Sequence, residues 1–130
     1  MLTLTIRTDK PEAEIGLFAD DKQLAYTTWQ AHRELSNTIL KKIDKLFSVK
    51  GQTFSDLGGI VCFKGPGSFT GLRIGLTVGN VLAYSLHTPI VGAMGDDWQA
   101  NGVQKLLAGV NEKILIPEYG AEANITEPRK

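Results

Sequence analysis

The sequence predicts an α/β domain built on a mixed sheet with helices on both faces, and three observations predict it. Three strand-like runs open the chain with only turns between them. From there, apolar runs alternate with segments whose apolar residues recur every three to four positions, in the order βββαβαβα plus a short strand. The chain has 130 residues, 42% hydrophobic and 22% charged, which suits one soluble domain with a sizeable core.

Leu2-Thr3-Leu4-Thr5-Ile6 alternates apolar and polar with period two and reads as the first strand. Residues 13–19 (AEIGLFA) form the second, Asp20-Asp21-Lys22 a hairpin turn, and residues 24–29 (LAYTTW), rich in Thr and aromatics, the third. A helix is expected from about Arg33 to Val49, with Leu35, Ile39, Ile43, Leu46 and Phe47 on one face and Lys41, Lys42, Asp44 and Lys45 toward water. Ser55 and Asp56 belong to a connection. Ile60-Val61-Cys62-Phe63 is continuously apolar, as in strands covered on both faces. After a second helix, residues 89–93 (PIVGA) form a fifth strand behind a proline that stops the helix. Asp96 or Asp97 caps a weaker helix through Trp98, Val103, Leu106, Leu107 and Val110, and Ile114-Leu115-Ile116 is a short last strand. The polar remainder, residues 117–130, reads as a loose arm.

The chain is organised around residues 58–86, a strand, a Gly-Pro-Gly turn and a long helix from Ser68, whose hydroxyl suits an N-cap. Gly71, Gly75, Gly79 and Ala83 fall at a spacing of four along it. Three helical glycines cost about 3 kcal/mol relative to alanine, so close backbone contact along that face must offset them. Arg73, Thr77, Asn80 and Tyr84 make a narrow polar side. The rest is apolar over well over half the circumference, against roughly 100° for a helix lying on one core. Two contacts are therefore expected, the sheet on one side and another helix on the other.

Lys plus Arg equals Asp plus Glu, at 14 each, so no net field favours nucleic acid or an anionic membrane. Cys62, the single cysteine, cannot make an internal disulfide and suits a reducing cytoplasm. The N-terminal residues lack a signal-peptide pattern, and no apolar run reaches membrane-spanning length, so a cytoplasmic protein is expected.

The turn invites a chemical reading. Gly65, Gly67, Ser68 and Thr70, between a strand and a helix N-terminus, could cradle a phosphate. The P-loop and Rossmann spacings are both missed: Lys64 precedes the turn, and Thr70 holds the place of the third glycine. A tight turn for close helix–sheet packing is the competing and stronger reading. His32 and His87 are far apart in sequence and there is no second cysteine, so no metal-ligand spacing exists and His32 reads as a helix-start residue. Ser68 lacks a nucleophile elbow, and Asp96 and Asp97 are adjacent rather than spaced as an acid/base pair, so no catalytic residue is nominated.

Residues 65–75, GPGSFTGLRIG, lying after an apolar strand, resemble the signature of the TsaB (YeaZ) family. His32-Arg33-Glu34-Leu35 is similar to that family's start of the first helix, and PIVGAM to its later strand, so the resemblance spans roughly residues 2–95. It implies one lobe of the actin-like, Hsp70-like ATPase (RNase H-like) fold, residues 1–110, with residues 111–130 in place of the second lobe. It implies a non-catalytic subunit, without cofactor, in bacterial synthesis of threonylcarbamoyladenosine on tRNA. The catalytic paralogue TsaD would be its partner, with the ATPase TsaE joining the complex, tRNA met only indirectly, and a homodimer when alone. Pairing would run through the first two helices, at about 34–49 and 68–86, with His32, Leu35, Ile39, Ile43, Leu72, Arg73, Gly75, Leu76, Gly79 and Ala83 as the expected interface. Leucine at Gly75 or Gly79 is then expected to block pairing and leave the fold intact. The alternative is a nucleotide-binding enzyme using the 65–70 turn. Against it, the fold's opening strand commonly ends in Asp-Thr, and here Arg7 precedes Thr8; an arginine cannot ligate Mg²⁺.

Overall fold

Five strands and three helices carry the fold: β1 (Leu2–Arg7), β2 (Glu12–Ala19), β3 (Lys22–Gln30), α1 (Leu35–Ser48), β4 (Leu57–Phe63), α2 (Phe69–Leu86), β5 (Ile90–Ala93) and α3 (Trp98–Leu107). The computed structural model describes residues 1–31, 34–66 and 69–116, with Phe69 described in its backbone alone. The strand order is β3-β2-β1-β4-β5. β1, β2 and β3 pair antiparallel, and β1–β4 and β4–β5 parallel, because the first connections are turns and the later ones carry helices. Asp20 turns the β2–β3 corner at φ 51°, a left-handed conformation that Asp tolerates in tight turns.

Side-chain alternation divides the core into two layers. Leu4, Ile6, Ala13, Ile15, Leu17, Ile60, Cys62 and Ile90 meet α1 through Leu35, Ile39, Ile43 and Phe47, and α2 through Leu76 and Ala83. On the opposite face Val61, Phe63, Val91 and Ala93 meet Trp98, Val103 and Leu106 of α3. Gly102 lowers the helical propensity of α3 for a reason: a Cβ there would overlap the side chain of Val61. Gln99 ties α3 to β1 by accepting from Thr5 Oγ1 at 2.9 Å.

Two expectations are corrected. Residues 114–116 are not a strand; Leu115 is held instead by the side chain of Asn80, as described below. Asp97 stands at the N-cap of α3 but makes no side-chain cap hydrogen bond, so the expected cap is not formed. The connection at Ser55 and Asp56 is a 3-10 turn, Phe54–Asp56, closed by a Thr53–Asp56 capping box and by Phe54 stacking 5.0 Å from Phe47. The expected Ser68 cap and the arm at 117–130 lie outside the described residues.

The glycine stripe of α2 is a seat on the chain's own sheet. A Cβ at Gly71 would overlap the Thr8 carbonyl oxygen, one at Gly75 the Thr8 side chain, and one at Gly79 the Cys62 sulfur. Leucine at Gly75 or Gly79 is therefore expected to damage the fold, correcting the expectation that it would act on pairing alone. Gly79→Ala should destabilise the chain by about 1–3 kcal/mol through overpacking, and Cys62→Ala in the same chain should recover part of that loss by removing the sulfur. Urea unfolding of both single variants and the double variant measures the coupling.

Burial pushes the Cys62 thiol up from its ordinary 9.0 to about 12. Between those values the unfolded chain has lost a proton that the folded chain keeps. Stability is then complete below pH 9 and falls as pH rises toward 12, by at most about 1.4 kcal/mol per pH unit. Tyr26, pushed up to about 12 first by burial and then by Glu14, acts in the same direction. Denaturation midpoints from pH 8 to 11 should decline in the parent chain and decline less in Cys62→Ala.

Candidate partner-docking face

The residues expected at an interface divide sharply once the fold is in place. Leu35, Ile39, Ile43, Leu72, Leu76 and Ala83 are buried in the chain's own core, and Gly75 and Gly79 lie under α2 against β1 and β4. None of these eight is left at the surface for a partner. Arg73 is exposed on the outer side of α2, and His32 lies outside the described residues.

What the helix pair presents outward is a different set. Leu40 on α1 is 51% exposed, and Val81 and Tyr84 on α2 are 57% and 84% exposed. Between the helices runs an open hollow of ≈ 350 Å³, bordered by Ser36, Leu40, Arg73, Ile74 and Thr77. Ile74 and Val78 are half-buried, packed against the core beneath. The apolar arc of α2 therefore meets the sheet on one side and α1 on the next, and still leaves Val81 uncovered, with Tyr84 exposed beside it on the polar side. Helical spacing places Leu40 on the exposed side of α1, one position from Ile39, which points into the core.

The phosphate reading rests on four residues, two of which are described. Gly65 is buried at φ 116°, a conformation open to glycine alone, and Thr70 is exposed in the first turn of α2; Gly67 and Ser68 lie outside the described residues. Lys64 follows β4, and its aliphatic stem lies over Gly92, away from a P-loop lysine's position. Thr8 Oγ1 donates to the Gly71 carbonyl at 2.6 Å, so the first turn of α2 is bound to the end of β1.

Arg7 ends β1 with its guanidinium 3.8 Å above the Phe63 ring. Its Nε donates to Asp9 Oδ1 at 2.7 Å and its Nη2 to Asp9 Oδ2 at 3.3 Å. Burial pulls the guanidinium down, but the hydrogen bond and charge of Asp9, with Glu14 and Asp96, outweigh it and hold it above its ordinary value. A fixed cation thus occupies the strand end where a metal-binding carboxylate would be needed. Among the described residues no three His, Cys, Asp or Glu side chains converge. None of the described helices is long and apolar enough to cross a membrane.

One polar cluster escaped sequence reasoning. Glu14 is buried, and its carboxylate accepts from Tyr26 Oη at 2.7 Å and Lys10 Nζ at 3.1 Å. The hairpin register supplied the signal: Gly16 faces Tyr26, which sets Glu14 diagonally beside Tyr26 on one face of the sheet.

Residues 29–94, half of the chain, match the family model described as "TsaD: tRNA N6-adenosine threonylcarbamoyltransferase". The chain is 30% identical over 139 residues to the Escherichia coli (strain K12) tRNA threonylcarbamoyladenosine biosynthesis protein TsaB, covering 95% of this chain and 57% of that protein. It is 34% identical over 90 residues to the Bacillus subtilis (strain 168) protein of the same name, covering 69% and 39%. The fold superposes on YeaZ from Pseudomonas aeruginosa with a TM-score of 0.67 at 25% identity, over 72% of this chain and 43% of that one. It also superposes on Thermus thermophilus RuvC in complex with a Holliday junction substrate, at a TM-score of 0.53 and 14% identity, over 95% and 87% of the chains; that likeness is one of fold alone. The chain spans about half the length of the curated relatives it matches.

Proposed function

We propose, because this chain is a member of the TsaB (YeaZ) family, that it is a non-catalytic partner subunit in the synthesis of threonylcarbamoyladenosine on tRNA. It pairs with the catalytic paralogue TsaD through the outer face of α1 and α2. The observation that carries this reading is the exposure of Leu40 on α1 and of Val81 and Tyr84 on α2, with a hollow bordered by Leu40, Arg73 and Thr77 between the helices. Aromatic and Arg side chains are the types that anchor interfaces, and apolar groups without cover gain most from a partner. The buried leucines, isoleucines and glycines serve this role indirectly: they hold the two helices side by side on the sheet.

A subunit of this kind has no catalytic residue of its own and calls for no cofactor. The paired Arg7 at the end of β1 supports that reading, since a guanidinium cannot ligate a metal ion. The balanced charge supports leaving tRNA to the partner, with TsaE joining through the complex. Residues 1–110 act as the lobe that presents the face, in the cytoplasm where tRNA is modified. Alone, the same face closes on a second copy.

The experiment is co-purification of the chain with TsaD, followed by restoration of tRNA modification in cells lacking TsaB. Stable co-elution with restored modification is the expected result. Co-elution without modification would remove the functional role while leaving the partner. Absence of any complex, with the chain folded, would overturn both.

A further inference from the structure

Every backbone hydrogen-bonding group on the outer edge of β5 is occupied, and among the described residues no strand occupies it. β4 takes one side of β5, with bonds from Ile60 N–H to the Pro89 carbonyl and from Lys64 N–H to the Ala93 carbonyl. The pairing turns the N–H and C=O of Ile90 and Gly92 outward. Ile90 N–H donates to Asn111 Oδ1 at 3.2 Å, and its carbonyl accepts from Glu112 N–H at 2.8 Å. Gly92 N–H donates to Glu112 Oε1 at 3.4 Å, and its carbonyl accepts from Lys105 Nζ at 2.8 Å. Lys105 and Glu112 are themselves paired at 3.4 Å.

The covering segment is pinned a second time. Leu115 is buried in the core, and the Asn80 amide bonds both its N–H, at 2.9 Å, and its carbonyl, at 3.1 Å. Between the two attachments Lys113 turns at φ 71°, so the segment leaves the edge after one backbone bond and offers no ladder of its own.

We propose that residues 111–115 are a strap that closes the sheet against strand addition, fastened by Lys105, Glu112 and Asn80, and that the strand it excludes is β5 of a second copy. An open strand edge is a template for another chain, and charged side chains are a common means of blocking one. The outward residues of β5 are self-complementary. In an antiparallel pair centred on Val91, Ile90 of one copy faces Gly92 of the other, and each pair exchanges both backbone bonds. Lys105 and Glu112 keep substantial side-chain exposure, and exposed ion pairs add little to folding, so these fasteners act on the edge more than on the core.

The test uses the whole chain with Glu112→Ala and Asn80→Ala, singly and together. Amide exchange is read at low and high concentration, with sedimentation velocity alongside. In the double variant the Ile90 and Gly92 amides should exchange at least tenfold faster at low concentration, while Ile60 and Lys64 keep their rates. The chain should then self-associate beyond its parent state, and Ile90 and Gly92 should regain protection as it does. Glu112→Gln, which keeps an acceptor, should stay near the parent. Unchanged exchange at Ile90 and Gly92 would overturn the proposal. So would acceleration of all four amides together, or exposed edge amides in a chain that associates no further.

Discussion

Gly71→Ala will destabilise the chain by about 2–3 kcal/mol, although alanine is the better helix former. The added Cβ meets a backbone carbonyl, that of Thr8, which no rotamer change can move aside. Either α2 lifts from the end of β1 or β1 gives way. Lifting α2 weakens the 2.6 Å bond from Thr8 Oγ1 to the Gly71 carbonyl, worth about 1 kcal/mol, and loosens Leu76 and Ala83 in the core below. Overpacking of this kind costs about 1–3 kcal/mol and occasionally more. The gain in helix propensity, about 1 kcal/mol, offsets only part. Urea unfolding of Gly71→Ala beside Thr77→Ala, an exposed position where the change should stay within about 0.5 kcal/mol, reads the difference. A Gly71→Ala chain as stable as the parent would mean that α2 is not seated on Thr8.

Leu40→Asp will weaken the proposed complex with TsaD by at least about 30-fold, corresponding to about 2 kcal/mol, and leave the chain's own stability nearly unchanged. Leu40 is half exposed, so a carboxylate there stays solvated in the free chain. In a docked face it would be desolvated without a partner, and that penalty falls on binding alone. Tyr84→Ala, at an aromatic side chain of α2 that is 84% exposed, should act in the same direction through lost contact area. Calorimetric titration with TsaD, paired with urea unfolding of each variant, separates the two effects. Full-strength binding by a folded Leu40→Asp chain would move the interface elsewhere.

The two predictions bear on the inner side of α2 and on the outer face of the α1–α2 pair, and that division could not be read from the sequence. Helical periodicity marked the apolar arc of α2 as too wide for one contact, and the cost of three glycines required a close backbone neighbour. Both inferences hold. The neighbour, however, is Thr8 for Gly71 and Gly75 and Cys62 for Gly79, residues that sequence distance conceals. Assigning the stripe to a partner failed because a requirement for close approach does not say what approaches. Residues 114–116 failed for a related reason. Three apolar residues in a row suit a strand, but the side chain of Asn80 and the turn at Lys113 settle their conformation.

The sequence by itself determined the order of elements, the mixed sheet and which face of each element is apolar. Those follow from local periodicity, turn chemistry and propensity, which act between residues a few positions apart. Only the tertiary structure decided which apolar face meets which, that the glycines of α2 face inward while Leu40, Val81 and Tyr84 face out, and that side chains of Lys105, Asn111 and Glu112 complete the sheet edge. Those outcomes depend on contacts between residues distant along the chain, where steric fit and unsatisfied backbone groups select one neighbour among several that the pattern allows.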